Sequence, residues 1–252
     1  MIQLNKCCRF YKYMSTDTCL KILQEGTLKF TKPSDFNDPF DCYPYMPQQG
    51  LVKFYKRLDT EYALSVITSK KVIANNFRKL RRTGNNGILH MLMSNNVAVT
   101  CFSTDPYSVP MWAHYANNHE GCVVEFQVTD EIIDKISSND SQSRVILPSY
   151  VTYTDKRPPL FDSKGDSLAF DSIFAKSKQW AYEKEVRAFS SSDGIQKFSR
   201  FQITKIITGV RMNETNKTLV QKSIREMNEM LGMKCKQTSL GMAFNSYQFV
   251  EI

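Results

Sequence analysis

The chain of 252 residues carries 33 Lys+Arg against 25 Asp+Glu, a formal charge of +8, with 42% apolar and 23% charged residues. A chain this apolar can bury enough surface to offset its ordering entropy, which excludes disorder as the default and fits one compact domain with an inserted lobe. Seven cysteines without a C-x-x-C pair argue against a disulfide framework and a thiolate zinc site, and no stretch approaches about 20 consecutive apolar residues, so a cytoplasmic setting without export or membrane spanning is expected.

Arg9-Phe10-Tyr11-Lys12-Tyr13 alternates as a strand does, and Ser15-Thr16-Asp17 can cap a helix that carries Cys19, Leu20 and Leu23 at helical spacing. Gly26 supplies a left-handed stop before a short strand over Thr27–Phe30. The loop Lys32–Pro39 is built of turn formers anchored by Phe36 and Phe40. From about 50 to 95 the pattern is helical and basic, broken at Gly84-Asn85-Asn86-Gly87, and predicts an inserted segment that is either a solvated face or a nucleic-acid surface.

Val97–Phe102 predicts a buried strand, followed by a helix from Ser108-Val109-Pro110 on which Met111, His114, Tyr115 and Asn118 form one stripe. Gly121–Phe126 and Ile146–Tyr153 read as strands, and Arg157–Asp166 as a connection into a helix ending near Trp180. Glu185–Phe189 and Ile203–Val210 read as strands, Glu214–Leu231 as an amphipathic helix and Tyr247–Ile252 as a closing strand. The sum is a single α+β domain over 1–252 with a mixed, largely antiparallel sheet core.

The sharpest local chemistry lies in Trp180–Arg187. On a strand, Glu183, Glu185 and Arg187 would share a face, and two carboxylates on one wall suit cleavage of a glycosidic bond; the alternative is an exposed strand neutralised by Arg187. Cys101-Phe102-Ser103-Thr104-Asp105 delivers polar groups to a strand end. His114 and His119 are roughly 140° apart on a helix, which disfavours a zinc pair. Phosphate-loop, dinucleotide and nucleophile-elbow glycine motifs are missing from the sequence. Asp38 and Asp41 could ligate a metal, but turn geometry explains them without one, and no metal is expected.

Three groups of residues carry a resemblance: Tyr11-Lys12-Tyr13; Leu28-x-Phe30-x-x-Pro33-x-x-Phe36-Asn37-Asp38-Pro39-Phe40-Asp41; and Cys101-Phe102-Ser103. So do Met111-Trp112-Ala113-His114-Tyr115-Ala116-x-x-His119-x-Gly121 and Lys176-x-x-x-Trp180-x-Tyr182-Glu183-x-Glu185-x-Arg187. In order and content these motifs resemble the bacterial domain of unknown function 2971.

Their layout also resembles that of ADP-ribosyltransferases, which implies an ADP-ribosyltransferase-like fold and NAD as substrate. It implies that Tyr11, Lys12 and Tyr13 hold the dinucleotide, that Ser103 supports the nicotinamide ribose, and that Tyr115 stacks on the nicotinamide. Glu185 would be the catalytic glutamate and Glu183 the acceptor-orienting one, with Asn37, Asp38, Trp112, His114, His119 and Arg187 among the cofactor-binding residues. A nucleic-acid or protein acceptor, a toxin or phage-defence role, and an antitoxin or defence partner are further expectations of this resemblance. Lys12 stands where many transferases have histidine or arginine, and Ser103-Thr104-Asp105 only partly keeps their serine-threonine-serine pattern. Two rivals remain: a magnesium-dependent nuclease built on Asp105 and Glu125, and a non-enzymatic nucleic-acid-binding module.

Overall fold

The computed structural model describes residues 8–45, 47, 53, 97–140, 143–164, 166 and 168–252; apart from Lys53, the expected basic helical insertion lies outside them. Strand β1 (Arg9–Met14) turns Phe10 and Met14 toward one core and Tyr11 and Tyr13 toward another, as its alternation requires. Ser15 Oγ accepts from the Thr18 N–H to start α1 (Thr16–Glu25), and Gly26 ends it at φ 64° before β2 (Thr27–Phe30).

After a 3-10 turn (Pro33–Asp35), the described chain continues through β3 (Ala98–Ser103), α2 (Val109–Tyr115), β4 (Cys122–Gln127) and α3 (Asp130–Asn139). Next come β5 (Ser149–Tyr150), β6 (Thr152–Thr154), α4 (Ala169–Ile173), β7 (Ala175–Ser177) and β8 (Glu185–Ser190). The chain closes with β9 (Gly194–Lys197), β10 (Ile203–Thr208), α5 (Glu214–Leu231), β11 (Lys236–Met242) and β12 (Phe249–Glu251).

The main sheet runs β12-β11-β10-β4-β1-β3-β8-β5. It is antiparallel except where β10 and β11 lie parallel, with α5 between them in the chain. Two small sheets pair β2 with β9 and β6 with β7. This is a mixed α+β fold around a mostly antiparallel sheet, as composition and patterning predict.

Helices α1 and α5 bury Ile22, Leu23, Val220, Ile224 and Met227 against one face, while Trp112 of α2 packs on the other with Tyr13, Val123 and Ile207. Behind β1, β3 and β4 three rings interlock: Phe10 lies 4.8 Å from Phe102 and 5.4 Å from Phe126, and Phe102 lies 5.5 Å from Phe126, centroid to centroid. Among the described residues no helix is long and apolar enough to cross a membrane.

Three expectations are corrected. The helix predicted to end near Trp180 is instead α4, β7 and a 3-10 turn over Lys178–Glu183, because β7 pairs with β6 and Ser177 then caps the turn through the Gln179 N–H. Ile146–Tyr153 is two short strands, since β5 pairs with β8 and β6 turns away to β7. Asn118 leaves the helical stripe: α2 stops at Tyr115, and Asn117, Asn118 and His119 take left-handed conformations with φ of 47°, 51° and 73°.

That turn is clamped at Gly121, where an added Cβ would stand 2.2 Å from the Met14 carbonyl oxygen and 2.8 Å from that of Ala116. Gly121→Ala is therefore expected to cost about 1–3 kcal/mol, read as a thermal midpoint lowered by roughly 2–12 °C. An unchanged midpoint would show that the backbone yields without strain.

Candidate functional site

Strand β1 pairs with β4 from Arg9 opposite Gln127 to Met14 opposite Cys122, and β3 with β8 from Ala98 opposite Ser190 to Ser103 opposite Glu185. Between these two half-sheets the register reduces to Tyr11 opposite Ser103. Lys12 spans the junction, its ammonium donating to Thr100 Oγ1 at 3.0 Å and to the Cys101 carbonyl at 2.8 Å. A cleft of about 300 Å³ opens here, walled by Tyr11, Lys12 and Tyr13, by Thr100 to Ser103, and by Asn37, Asp41, Tyr115, Lys176, Glu183 and Glu185.

One wall of the cleft is a buried charge cluster. Lys176 Nζ donates to Glu183 Oε2 and to Glu185 Oε2, the latter at 2.8 Å, and lies 3.5 Å from Asp41 Oδ2. Arg187 grips Asp41 through Nη2 at 2.7 and 2.8 Å, reaches Glu185 Oε1 through Nε at 2.7 Å, and spends Nη1 on the Ile173 carbonyl at 2.6 Å and on Cys42 Sγ at 3.1 Å. The Tyr115 phenol donates to Glu183 Oε1 at 2.7 Å. Three carboxylates thus face two cations, with the Lys12 side chain across the cleft.

Local sequence delivers these groups. Lys176 enters on β7, where β6 sets it opposite Tyr153, and the Tyr153 hydroxyl accepts the Glu185 N–H at 2.8 Å. The 3-10 turn ends on Lys184 at φ 46°, a strained left-handed residue that points the chain into β8 with Glu183 and Glu185 both on the cleft. Two bonds to the end of β3 and the residue after it fix that strain: Ser103 Oγ donates to the Glu183 carbonyl at 2.6 Å, and the Thr104 N–H to that of Lys184 at 2.9 Å. Asp41 arrives on the Asn37–Asp41 turn, in which Asp38 Oδ1 accepts the Phe40 N–H at 2.9 Å.

Electrostatics follow from this packing. Burial opposes ionisation of Glu185, but Arg187 and Lys176 outweigh it and hold the carboxyl down at about 2. Burial likewise opposes the charge on Lys176, and the Glu185, Asp41 and Glu183 carboxylates more than restore it, leaving its pKa raised. Burial, then the bond to Glu183, raises the Tyr115 phenol, and burial lowers the Lys12 ammonium. Burial also pushes the Cys42 thiol up to about 12 despite Arg187, so it is no nucleophile at neutral pH. Glu185 is therefore a permanent anion: it can accept hydroxyl hydrogen bonds and support developing positive charge, and it cannot serve as a general acid.

Of the residues singled out from sequence, Tyr11, Lys12, Tyr13, Asn37, Ser103, Tyr115, Glu183 and Glu185 meet in this cleft. Ser103 is fully buried, and its hydroxyl, which also accepts the Asp105 N–H at 3.0 Å, is committed to holding the glutamate turn. Tyr13 is tied to the Asp105 carbonyl at 2.6 Å.

The others lie elsewhere. Arg187 sits behind the carboxylates, fully buried. Trp112 is a core residue whose indole N–H donates to the Pro106 carbonyl at 2.8 Å. His114 is exposed, His119 lines a different cleft beside Arg211 and Phe249, and Asp38 faces a neighbouring cleft with Phe40 and Trp180. Lys176 and Asp41 are the members that sequence reasoning did not assign. Their signal was the need of two buried acids and a buried arginine for counterions, met by a lysine at the head of the tryptophan-to-arginine motif and by an aspartate closing the Asn37 turn.

No curated protein and no solved structure matches the chain. Residues 111–188, which run from α2 into β8 and carry Tyr115, Lys176, both glutamates and Arg187, match the model of the family described as "Protein of unknown function (DUF2971)".

Proposed function

We propose that the cleft binds NAD and transfers its ADP-ribosyl group to a macromolecular acceptor. One observation carries the reading: two buried glutamates, both bonded to Lys176 and one of them also to Arg187, line a cleft that opens where Tyr11 of one half-sheet meets Ser103 of the other. Breaking the bond between ribose C1′ and nicotinamide sends the electron pair to the pyridinium nitrogen and leaves positive charge on the ribose, which Glu185 stabilises. The acceptor nucleophile then forms the new bond to C1′, and Glu183 orients it and receives its proton. Lys12 and Lys29, both on the cleft, supply positive charge for the pyrophosphate, and Tyr11 supplies an aromatic wall.

The nuclease reading finds less support. Asp105 is engaged by Lys184 at 2.9 Å and the Tyr107 N–H at 2.8 Å, Glu125 by Thr204 at 2.7 Å and Gln127 at 2.9 Å, and β1 separates their strands.

The test is incubation with NAD labelled on its adenylate, separately with DNA, RNA and protein extract. Label on one acceptor class together with free nicotinamide is expected. Neither label transfer nor nicotinamide release in any fraction would remove the proposal.

A further inference from the structure

Lys176 is a party wall. On its far side lies a second cleft, of about 500 Å³, lined by Asp38, Phe40, Tyr43, Arg157, Lys176 and Trp180 among others. Its chemistry differs from that of the carboxylate side. Phe40, expected to anchor its loop, is instead 63% exposed although the turn beneath it is fixed by Asp38, so a large apolar ring is held in place without the benefit of burial. The Arg157 guanidinium stands over both the Phe40 ring, at 5.9 Å, and the Tyr43 ring, at 5.4 Å. Across the cleft Trp180 holds its ring 5.2 Å from the Lys176 ammonium that carries both glutamates.

We infer that this second cleft binds single-stranded nucleic acid, with a base stacked among Phe40, Trp180 and the Arg157 guanidinium, and that it is the acceptor site of the proposed transfer, on which reading its role as acceptor site rests. Aromatic rings interleaved with a guanidinium suit unpaired bases, because every base offers a π-face whereas a base inside a duplex does not. The cations Lys156 and Arg157 on the same lining, where Asp155 is paired by Lys178 and Asp38 by the Phe40 N–H, in a chain of net charge +8, match a phosphate backbone. The two clefts adjoin at Lys176, whose ammonium bonds Glu183, so a strand anchored by one base on the aromatic side has its neighbouring nucleotide next to the cleft of Glu183, the carboxylate assigned to orient the nucleophile.

The experiment measures fluorescence anisotropy of single-stranded DNA and RNA oligonucleotides of about a dozen nucleotides, a length that covers one stacking site with its flanks. It is done without NAD, on the wild type and on Phe40→Ala and Arg157→Glu. Both variants are surface changes outside the carboxylate cluster, and folding is checked by circular dichroism. Wild-type binding weakened about tenfold or more in each variant is expected, with a reduced salt dependence in Arg157→Glu.

Unchanged affinity in both variants, equal binding of a blunt duplex, or no binding of either strand by the wild type overturns the site. Nicotinamide release without acceptor is measured in parallel and is expected to be the same in all three proteins. If the variants lose oligonucleotide binding while no protein consumes NAD, the nucleic-acid site stands and the transferase reading, with the acceptor role, falls.

Discussion

Arg187→Met is expected to destabilise the protein by about 3–5 kcal/mol at neutral pH, a fall of roughly 6–20 °C in the thermal midpoint of a chain this long. The guanidinium is fully buried and satisfies Asp41, Glu185 and the Ile173 carbonyl at once. Methionine fills much of the volume but leaves three buried carboxylates, Asp41, Glu183 and Glu185, with Lys176 as their shared counterion.

The pH dependence separates this account from simple loss of packing. In the wild type Glu185 is depressed to about 2, so the stability it contributes is present above the ordinary carboxylate range and is lost as pH falls toward 2. Without Arg187, burial dominates and the Glu185 pKa rises, so the folded variant takes up a proton readily and recovers stability on acidification. Denaturant titrations at pH 7 and pH 3.5 should show the gap between variant and wild type closing at the lower pH. A gap that stays constant would mean that the charge cluster contributes nothing beyond shape.

Glu185→Gln is expected to lower label transfer by about 10²- to 10³-fold, the scale for removing one electrostatic partner of a transition state. The amide keeps the shape of the carboxylate and removes the charge that the ribose cation needs. Because the amide also turns donors toward Lys176 and Arg187, the comparison is made well below the variant's measured midpoint, with NAD binding followed separately. Retained NAD binding with lost transfer locates the effect in the chemical step, and transfer within tenfold of wild type in a folded variant would exclude Glu185 from the reaction. With the wild-type carboxyl held at about 2, transfer is also expected to show no acid limb from this group between pH 4 and pH 8.

Much of the frame is legible from short-range rules. Ser15 and Gly26 bracket α1, the apolar runs mark β3 and β4, and the amphipathic stripe marks α5 from Glu214 to Leu231. What escapes is set by partners distant in sequence. Strand β11 is the polar run Lys236–Met242, a strand because β10 lies beside it, and β9 exists to pair with β2. The aromatic spacing around Trp180 imitates a helix, yet the segment is drawn into a tight turn by Ser103 and Thr104, about 80 residues earlier, which bind its carbonyls.

The candidate site divides the same way. Glu185 can be read from its place at the head of a strand, whereas Glu183 reaches the cleft from the 3-10 turn and not from the strand face that its spacing predicts, and Lys176 and Asp41 are recognisable only once folding has buried the charges they pair, the glutamates for Lys176 and Arg187 for Asp41. Trp112 stands beside the site in sequence and belongs to the core in space.

The three interlocked rings behind the sheet bear on ligand choice. Phe10, Phe102 and Phe126 pack behind β1, β3 and β4 beside the point where β1 and β3 part, next to the single pairing of Tyr11 with Ser103. Exchanging one of these hidden rings for a smaller one is therefore expected to change the spacing of the strands beneath the cleft while every residue facing the solvent stays the same.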